Sequence, residues 1–178
     1  MLSYTRLRPS SNSTSQIASC SPAAIAPLLE SWAALAYVLN NHAAFCAAYG
    51  FALEDSANTI VVVGKGNPPV YAACVVLATH RLDVNRTIKQ RFGRKSSFAS
   101  PEETRDLTGM AIGGVTAFGL PPDLPLWVDA AVMERPRIVL GGGSRSWKVI
   151  APSSILLTLP NAQVVQGLAN PAPPRPEA

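Results

Sequence analysis

Apolar residues recur at helical spacing early in the chain, at Ile25, Leu28, Leu29, Trp32, Ala36 and Leu39. That spacing predicts a helix from Pro22 or Pro27 to Leu39, with a proline in its first turn. Asn40 and Asn41 then offer an N-cap for a short helix through Ala43–Tyr49, which Gly50 ends. Downstream the pattern changes. Thr59–Val63 and Val70–Leu77 are β-branched runs joined by the turn-rich loop Gly64–Pro69, and together they predict a buried hairpin. Val84–Phe92 reads as a helix. Ser100-Pro101-Glu102-Glu103 sets a cap, an N1 proline and a capping-box glutamate in register, so a helix through Leu107 follows. Short strands are expected at Leu126–Val128, Arg137–Leu140, Trp147–Ile150 and Gln163–Val165, with a last helix over Ser153–Leu159. Strands that pair locally, interrupted irregularly by helices, predict an α+β domain with a mixed β-sheet and flanking helices.

The ends differ from this middle. Met1–Ser21 is rich in Ser, Thr and Asn, contains Arg6 and Arg8, and holds no acid, which predicts a flexible leader over residues 1–21. The same composition suits a transit peptide, so an organellar address is the alternative to a cytoplasmic one. Asn170–Ala178 is proline-rich and is expected to be a loose tail over residues 170–178. One domain is expected over residues 22–169.

Composition narrows the class. The 178 residues are 48 % hydrophobic and only 15 % charged, enough for one core and unlike a disordered chain. The most apolar stretch, Pro27–Leu53, is broken by Glu30, Asn40, Asn41 and His42, so no ~20-residue membrane span is expected. Cys20, Cys46 and Cys74 form neither a CxxC pair nor a Cys/His pattern, so no disulfide framework, metal or cofactor is expected. Cys46 and Cys74 read as small core residues.

The net charge of +4 is mild, but its distribution is not. Arg81, Arg86, Lys89, Arg91, Arg94 and Lys95 crowd one segment, opposed only by Asp83. A solvated helix face is one reading; a face that contacts nucleic-acid phosphates is the other. No conventional nucleophile constellation is present. His42 and His80 belong to no known catalytic pattern, and Asp129 is explained as well by helix capping as by acid–base work. Two glycine loops remain, Thr108–Gly119 and Gly141–Arg145. Glycine lets backbone approach a ligand and leaves N–H groups free for an oxyanion, although tight turns alone also account for such loops.

In order along the chain, Ser56–Val62, Ala78–Val84, Thr108–Gly119 with its trailing Phe118-Gly119, Val128-Asp129 and Gly141–Arg145 resemble the YbaK/aminoacyl-tRNA-editing family. These are free-standing relatives of the editing insertion in bacterial prolyl-tRNA synthetase. The likeness covers about Asn41 to Leu168 and implies a compact α+β domain that hydrolyses the ester between a wrong amino acid and tRNA. It assigns catalysis to Asn58, Gly113 and Gly114. Substrate contacts fall to Thr59, Thr116, Ala117, Gly141, Gly143 and Ser144, and tRNA contacts to the basic cluster. The pattern around Asn58, with Phe45-Cys46 and Tyr49-Gly50 upstream, is similar to the branch acting on seryl- and threonyl-tRNA.

Four departures stand out. Where most members carry a lysine before the Thr-initiated strand, this chain has Asn58. The usual Gly-x-x-x-Pro reads Gly113 to Ala117, and Gly141 stands where many members have a small hydroxyl residue. The N-terminal part also differs from the family's opening helix and hairpin, as in a truncated domain. The chemistry expected is ester hydrolysis by preorganised donors with no protein nucleophile, the tRNA 2′-hydroxyl relaying a proton. Implied partners are mischarged tRNA and an aminoacyl-tRNA synthetase. The rival readings are an inactive tRNA- or synthetase-binding adaptor, and a small-molecule or nucleotide-binding domain that uses Gly141–Arg145 as an anion nest.

Overall fold

The computed structural model describes residues 34–37, 46, 50–143 and 147–173. The leader and the greater part of both N-terminal helices expected from the sequence lie outside them. In chain order the strands are β1 (Ala34–Tyr37), β2 (Ala57–Gly64), β3 (Val70–Leu77), β4 (His80–Leu82) and β5 (Ser96–Phe98). They continue with β6 (Leu126–Asp129), β7 (Arg137–Gly141), β8 (Trp147–Pro152), β9 (Ala162–Val165) and β10 (Ala169–Pro171). The α-helices are α1 (Lys89–Phe92), α2 (Pro101–Thr108) and α3 (Ala130–Met133).

A mixed sheet runs in the order β5-β2-β3-β6-β9. Its first two pairings are antiparallel, and β3, β6 and β9 run parallel. The continuous apolar character of β3 follows from burial on both sides. Ala73, Val75 and Leu77 enter one core with Leu126, Val128, Ile138, Leu140 and Leu156. Ala72, Cys74 and Val76 enter the other with Val62, Trp127, Ile88 and Leu168. A second, antiparallel sheet has the order β1-β8-β7, and β4 pairs with β10.

The hairpin, the four later strands and the capped helix α2 stand where the pattern placed them. At the start of α2, the Ser100 hydroxyl accepts from the Glu103 N–H at 3.1 Å while the Glu103 carboxylate accepts from the Ser100 N–H at 2.7 Å. Asp129 is the expected cap: its carboxylate accepts from the Ala131 N–H at 3.0 Å and also from the Ala169 N–H at 2.6 Å.

Other expectations are corrected. Residues Ala34–Tyr37 form a strand rather than the end of a helix, paired antiparallel with Trp147–Ile150. A short apolar run suits either state, and here the free edge of β8 decides. Val84–Phe92 is helical as expected, a π-type turn over Val84–Ile88 running into α1, and the expected last helix is a 3-10 helix over Ser153–Thr158. The tail does not begin at Asn170. Asn170 and Pro171 pair with Arg81 and His80 in β4, and the Ala172 N–H donates to the Thr79 carbonyl at 2.9 Å. Burial of Leu168 and Ala169 carries this segment onto the sheet.

Candidate active site

The edge of β2 is only partly covered. β5 pairs with Val62, Val63 and Gly64, and the Ala99 N–H reaches the Val61 carbonyl at 3.0 Å. Beyond that point the edge has no strand partner until Ser56, just before β2, bridges Val139 of β7. Residues of an antiparallel strand turn their N–H and C=O groups alternately to the two sides, so Thr59 turns both toward the open edge, as Val61 does. A cleft of about 290 Å³ lies along this edge. One wall is β2 from Ala57 to Val61; opposite stand Phe98, Ala99 and Thr104, with Ile112, Gly113, Val115 and Gly141 closing it. Phe98 and Ile112 form an apolar rim, 56 % and 44 % exposed.

The cleft brings Asn58, Thr59, Gly113 and Gly141 together. They approach differently. Side chains alternate across a strand, so Asn58 shares the face of Ile60 and Val62, which pack in the core of Trp127. Thr59 shares the face of Val61, which packs on Val115 of the glycine loop. The Thr59 hydroxyl is buried and has no hydrogen-bond partner among the described residues. Gly113 has φ +89°, a conformation that glycine adopts without strain. Its N–H takes part in no hydrogen bond among the described residues.

Other residues expected at the site are placed elsewhere. The Gly114 N–H donates to the Ala111 carbonyl at 2.9 Å and closes a turn, so it is already bonded in this structure. Thr116 is buried, with its hydroxyl accepting from the Phe118 N–H at 3.4 Å. Ala117 belongs to the core of Val75 and Val128 and lines a separate small cavity with Leu120 and Leu124. Gly143 has φ +88° and donates its N–H to the Gly114 carbonyl at 2.9 Å, which docks the second glycine loop on the first. Ser144 lies outside the described residues.

The basic residues are all exposed. Arg86, Lys89 and Arg91 ride on the π-type turn and α1, whose Ile88 and Phe92 pack on the Trp127 core, the sheet face opposite the glycine loop. Arg91 lies 4.5 Å from the Trp127 ring centroid and donates to Gln163 Oε1 at 2.8 Å. Arg94 donates to the Pro68 carbonyl at 3.2 Å, and the Lys95 carbonyl accepts from the Lys65 N–H at 2.7 Å, so both sit by the β2–β3 turn. Arg81 is on β4. The cluster is thus dispersed over β4, the turn-helix segment and the neighbourhood of the β2–β3 turn.

Sequence reasoning missed Lys148, which is 2 % exposed in β8. Burial pushes its ammonium below the ordinary lysine value, with Cys46 opposing the shift. Its only signal was a lysine set between apolar strand neighbours. Glu103 is held below the usual carboxylate range by hydrogen bonds, first from the Ser100 backbone and then from the Tyr71 hydroxyl at 2.9 Å.

Residues 40–153 match the family model of the aminoacyl-tRNA editing domain. The chain belongs to that family. Within reach of the family by sequence is the Multifunctional Ser/Thr-tRNA deacylase ProXp-y of Escherichia coli K12, 28 % identical over 118 residues, 65 % of this chain and 71 % of that protein. The protein YwhH of Bacillus subtilis is 30 % identical over 97 residues, 54 % of this chain and 60 % of that one. Among solved structures, a candidate trans-editing enzyme for prolyl-tRNA synthetase superposes with a TM-score of 0.67 at 26 % identity, covering 86 % of this chain and 98 % of that one. The mixed sheet with flanking helices is therefore the editing-domain fold. Among the described residues no helix is long and apolar enough to cross a membrane.

Proposed function

We propose that this chain hydrolyses the ester of mischarged tRNA carrying serine, threonine or another small amino acid. The observation that carries the reading is the cleft on the open β2 edge, where Asn58, Thr59, Gly113 and Gly141 converge. Gly113 is exposed on the cleft and its N–H is unbonded among the described residues, so it serves as donor to the carbonyl oxygen as it gains charge. The orphan hydroxyl of Thr59 needs a partner that water or a polar amino-acid side chain supplies, which favours small polar substrates over alkyl ones. Asn58 enters from the other face of β2 and holds part of the terminal adenosine. An aminoacyl ester is reactive enough that orienting water suffices, with the neighbouring 2′-hydroxyl as proton relay. The exposed basic residues contact tRNA phosphates, in the cytoplasm, with an aminoacyl-tRNA synthetase as a second partner.

The kinship with a Ser/Thr-tRNA deacylase supports this reading. The adaptor alternative is favoured by one observation, that no charged side chain lines the cleft among the described residues. A nucleotide-binding nest at Gly141–Arg145 loses support because the Gly143 N–H is already bonded to Gly114. The deciding experiment is single-turnover deacylation against a panel of tRNAs charged with Ser, Thr, Ala, Cys and Pro. Hydrolysis of Ser- or Thr-tRNA is expected; tight tRNA binding with no hydrolysis of any member would establish the adaptor.

A further inference from the structure

Phe98 lines the cleft with 56 % of its surface exposed. It lies directly opposite Val62 in the ladder of β2 and β5, and directly opposed residues send their side chains to the same face. Asn58 and Ile60 alternate onto that face with Val62. Burial falls along the row. Val62 is buried in the core of Ile88 and Trp127, whereas Ile60 and Asn58 are half-buried. Ile60 is the diagonal neighbour of Phe98, within reach of an aromatic ring. Phe98, Ile60 and Asn58 thus make one strip of the cleft wall, a ring at one end and an amide at the other.

The backbone that carries the ring is fixed on both sides. The Ser96 hydroxyl donates to the Val84 carbonyl at 2.8 Å, the Ala99 N–H donates to the Val61 carbonyl at 3.0 Å, and Ser100 opens α2 with its capping box. The ring itself stacks on no other ring among the described residues; the aromatic pair on this face is Phe92 with Trp127. An exposed apolar side chain standing alone calls for no explanation, but this one lines a cleft beside Ile60 and Ile112. The cleft of about 290 Å³ is also roomier than a seryl group requires. Its walls bear no charged side chain among the described residues to receive a phosphate. The remaining space suits a flat, uncharged group.

We propose that Phe98 is the platform on which the purine base of the tRNA's terminal adenosine stacks. The inference rests on the editing reading above and deepens it. Ester and base hang from one ribose, so a cleft that takes the ester at Gly113 has the base for a neighbour, and Phe98 is its one aromatic face among the described residues. Stacking needs no charge and tolerates any base. Phe98 therefore anchors the end of every tRNA alike and leaves the amino acid to be judged at Thr59. A ring whose backbone is already fixed loses little freedom when the base arrives, so the contact comes at low entropic cost.

The test uses the full chain and 3′-serylamino-3′-deoxyadenosine, whose amide replaces the labile ester, beside the same molecule without its base. Wild-type protein is expected to bind the base-bearing analogue ~10- to 100-fold more tightly than the other. F98A is expected to lose most of that preference while melting with the wild type, because the side chain is exposed. F98Y should keep the preference; F98L, apolar but without a π face, should not. Full preference in F98A or F98L overturns the proposal, as does wild-type protein that binds both analogues equally or binds neither. A further measurement needs no variant. The Phe98 ring protons of the wild-type protein should move upfield in the ring current of the stacked adenine, and unmoved resonances with the analogue bound overturn the proposal even where the variants misfold. Wild-type protein inactive on every charged tRNA would overturn the editing reading instead, whereas active protein without a base preference would overturn this inference alone.

Discussion

Gly141 and Val115 approach so closely that a Cβ on the glycine would sit 2.5 Å from the valine carbonyl oxygen. That contact, with the Gly143–Gly114 hydrogen bond, fastens the two glycine loops and sets the back of the cleft. Gly141→Ala forces backbone apart. It should destabilise the fold by ~1–3 kcal/mol, as overpacking does. Deacylation should fall by more than the fraction unfolded explains. Calorimetry together with single-turnover kinetics at a temperature where the variant is folded checks both.

Thr59 offers the converse case. Its hydroxyl is buried without a partner among the described residues, so the fold gains nothing from it. Thr59→Val keeps the β-branched shape and should leave stability unchanged or raise it by about 1 kcal/mol, because an unsatisfied buried polar group is removed. Hydrolysis of Ser- and Thr-tRNA should drop at least ~10-fold, with Ala-tRNA affected less, as expected when a site loses a hydrogen-bonding group. Equal losses on all three substrates would remove Thr59 from discrimination.

These two residues also show what the sequence made legible. Local signals were read correctly: the capping box at Ser100–Glu103, the β2–β3 hairpin and the Asp129 cap each involve neighbours in the chain. Remote ladders were not. β1 and β10 exist because β8 and β4 offer edges far away in sequence, and no short window contains that information. At the site, proximity in the chain misled. Gly113 reaches the cleft, but the loop turns there and carries Thr116 and Ala117 into the core. Lys148 escaped notice because a lysine in a strand reads as exposed, and only the fold buries it.

The basic residues predict a salt effect. Arg86→Gln with Lys89→Gln neutralises two exposed charges of the turn-helix segment; Arg91 is left alone because it also stacks on Trp127. Affinity should weaken similarly for different tRNAs, and the slope of log affinity against log salt should shrink by roughly 0.7–0.9 per lost phosphate contact. An unchanged slope assigns this face to solvent.

Glu103 predicts a pH effect on stability. Its carboxyl titrates below the ordinary value because the Ser100 N–H and Tyr71 hydroxyl favour the charged form. A depressed folded-state value gives stability that is fully present above the unfolded value, about 4.3, and is lost as pH falls through the folded one. Glu103→Ala should therefore lower the melting temperature at neutral pH, and the two proteins should converge as the solution becomes strongly acidic. Parallel melting curves across that range would mean the charge contributes nothing.

Asn58 decides between enzyme and adaptor. It is half-buried near the start of β2, on the face of Ile60 and Val62, where a polar side chain gains nothing from packing. An asparagine in such a place often serves local backbone bonding. Here its amide makes no hydrogen bond among the described residues, so a capping role lacks a partner, while its position on the cleft supplies one in the substrate. Asn58→Ala should lower deacylation by ~100-fold, the cost of one preorganised donor, with the melting temperature almost unmoved. A preserved rate would take Asn58 out of catalysis, and a large loss of stability would restore the capping role.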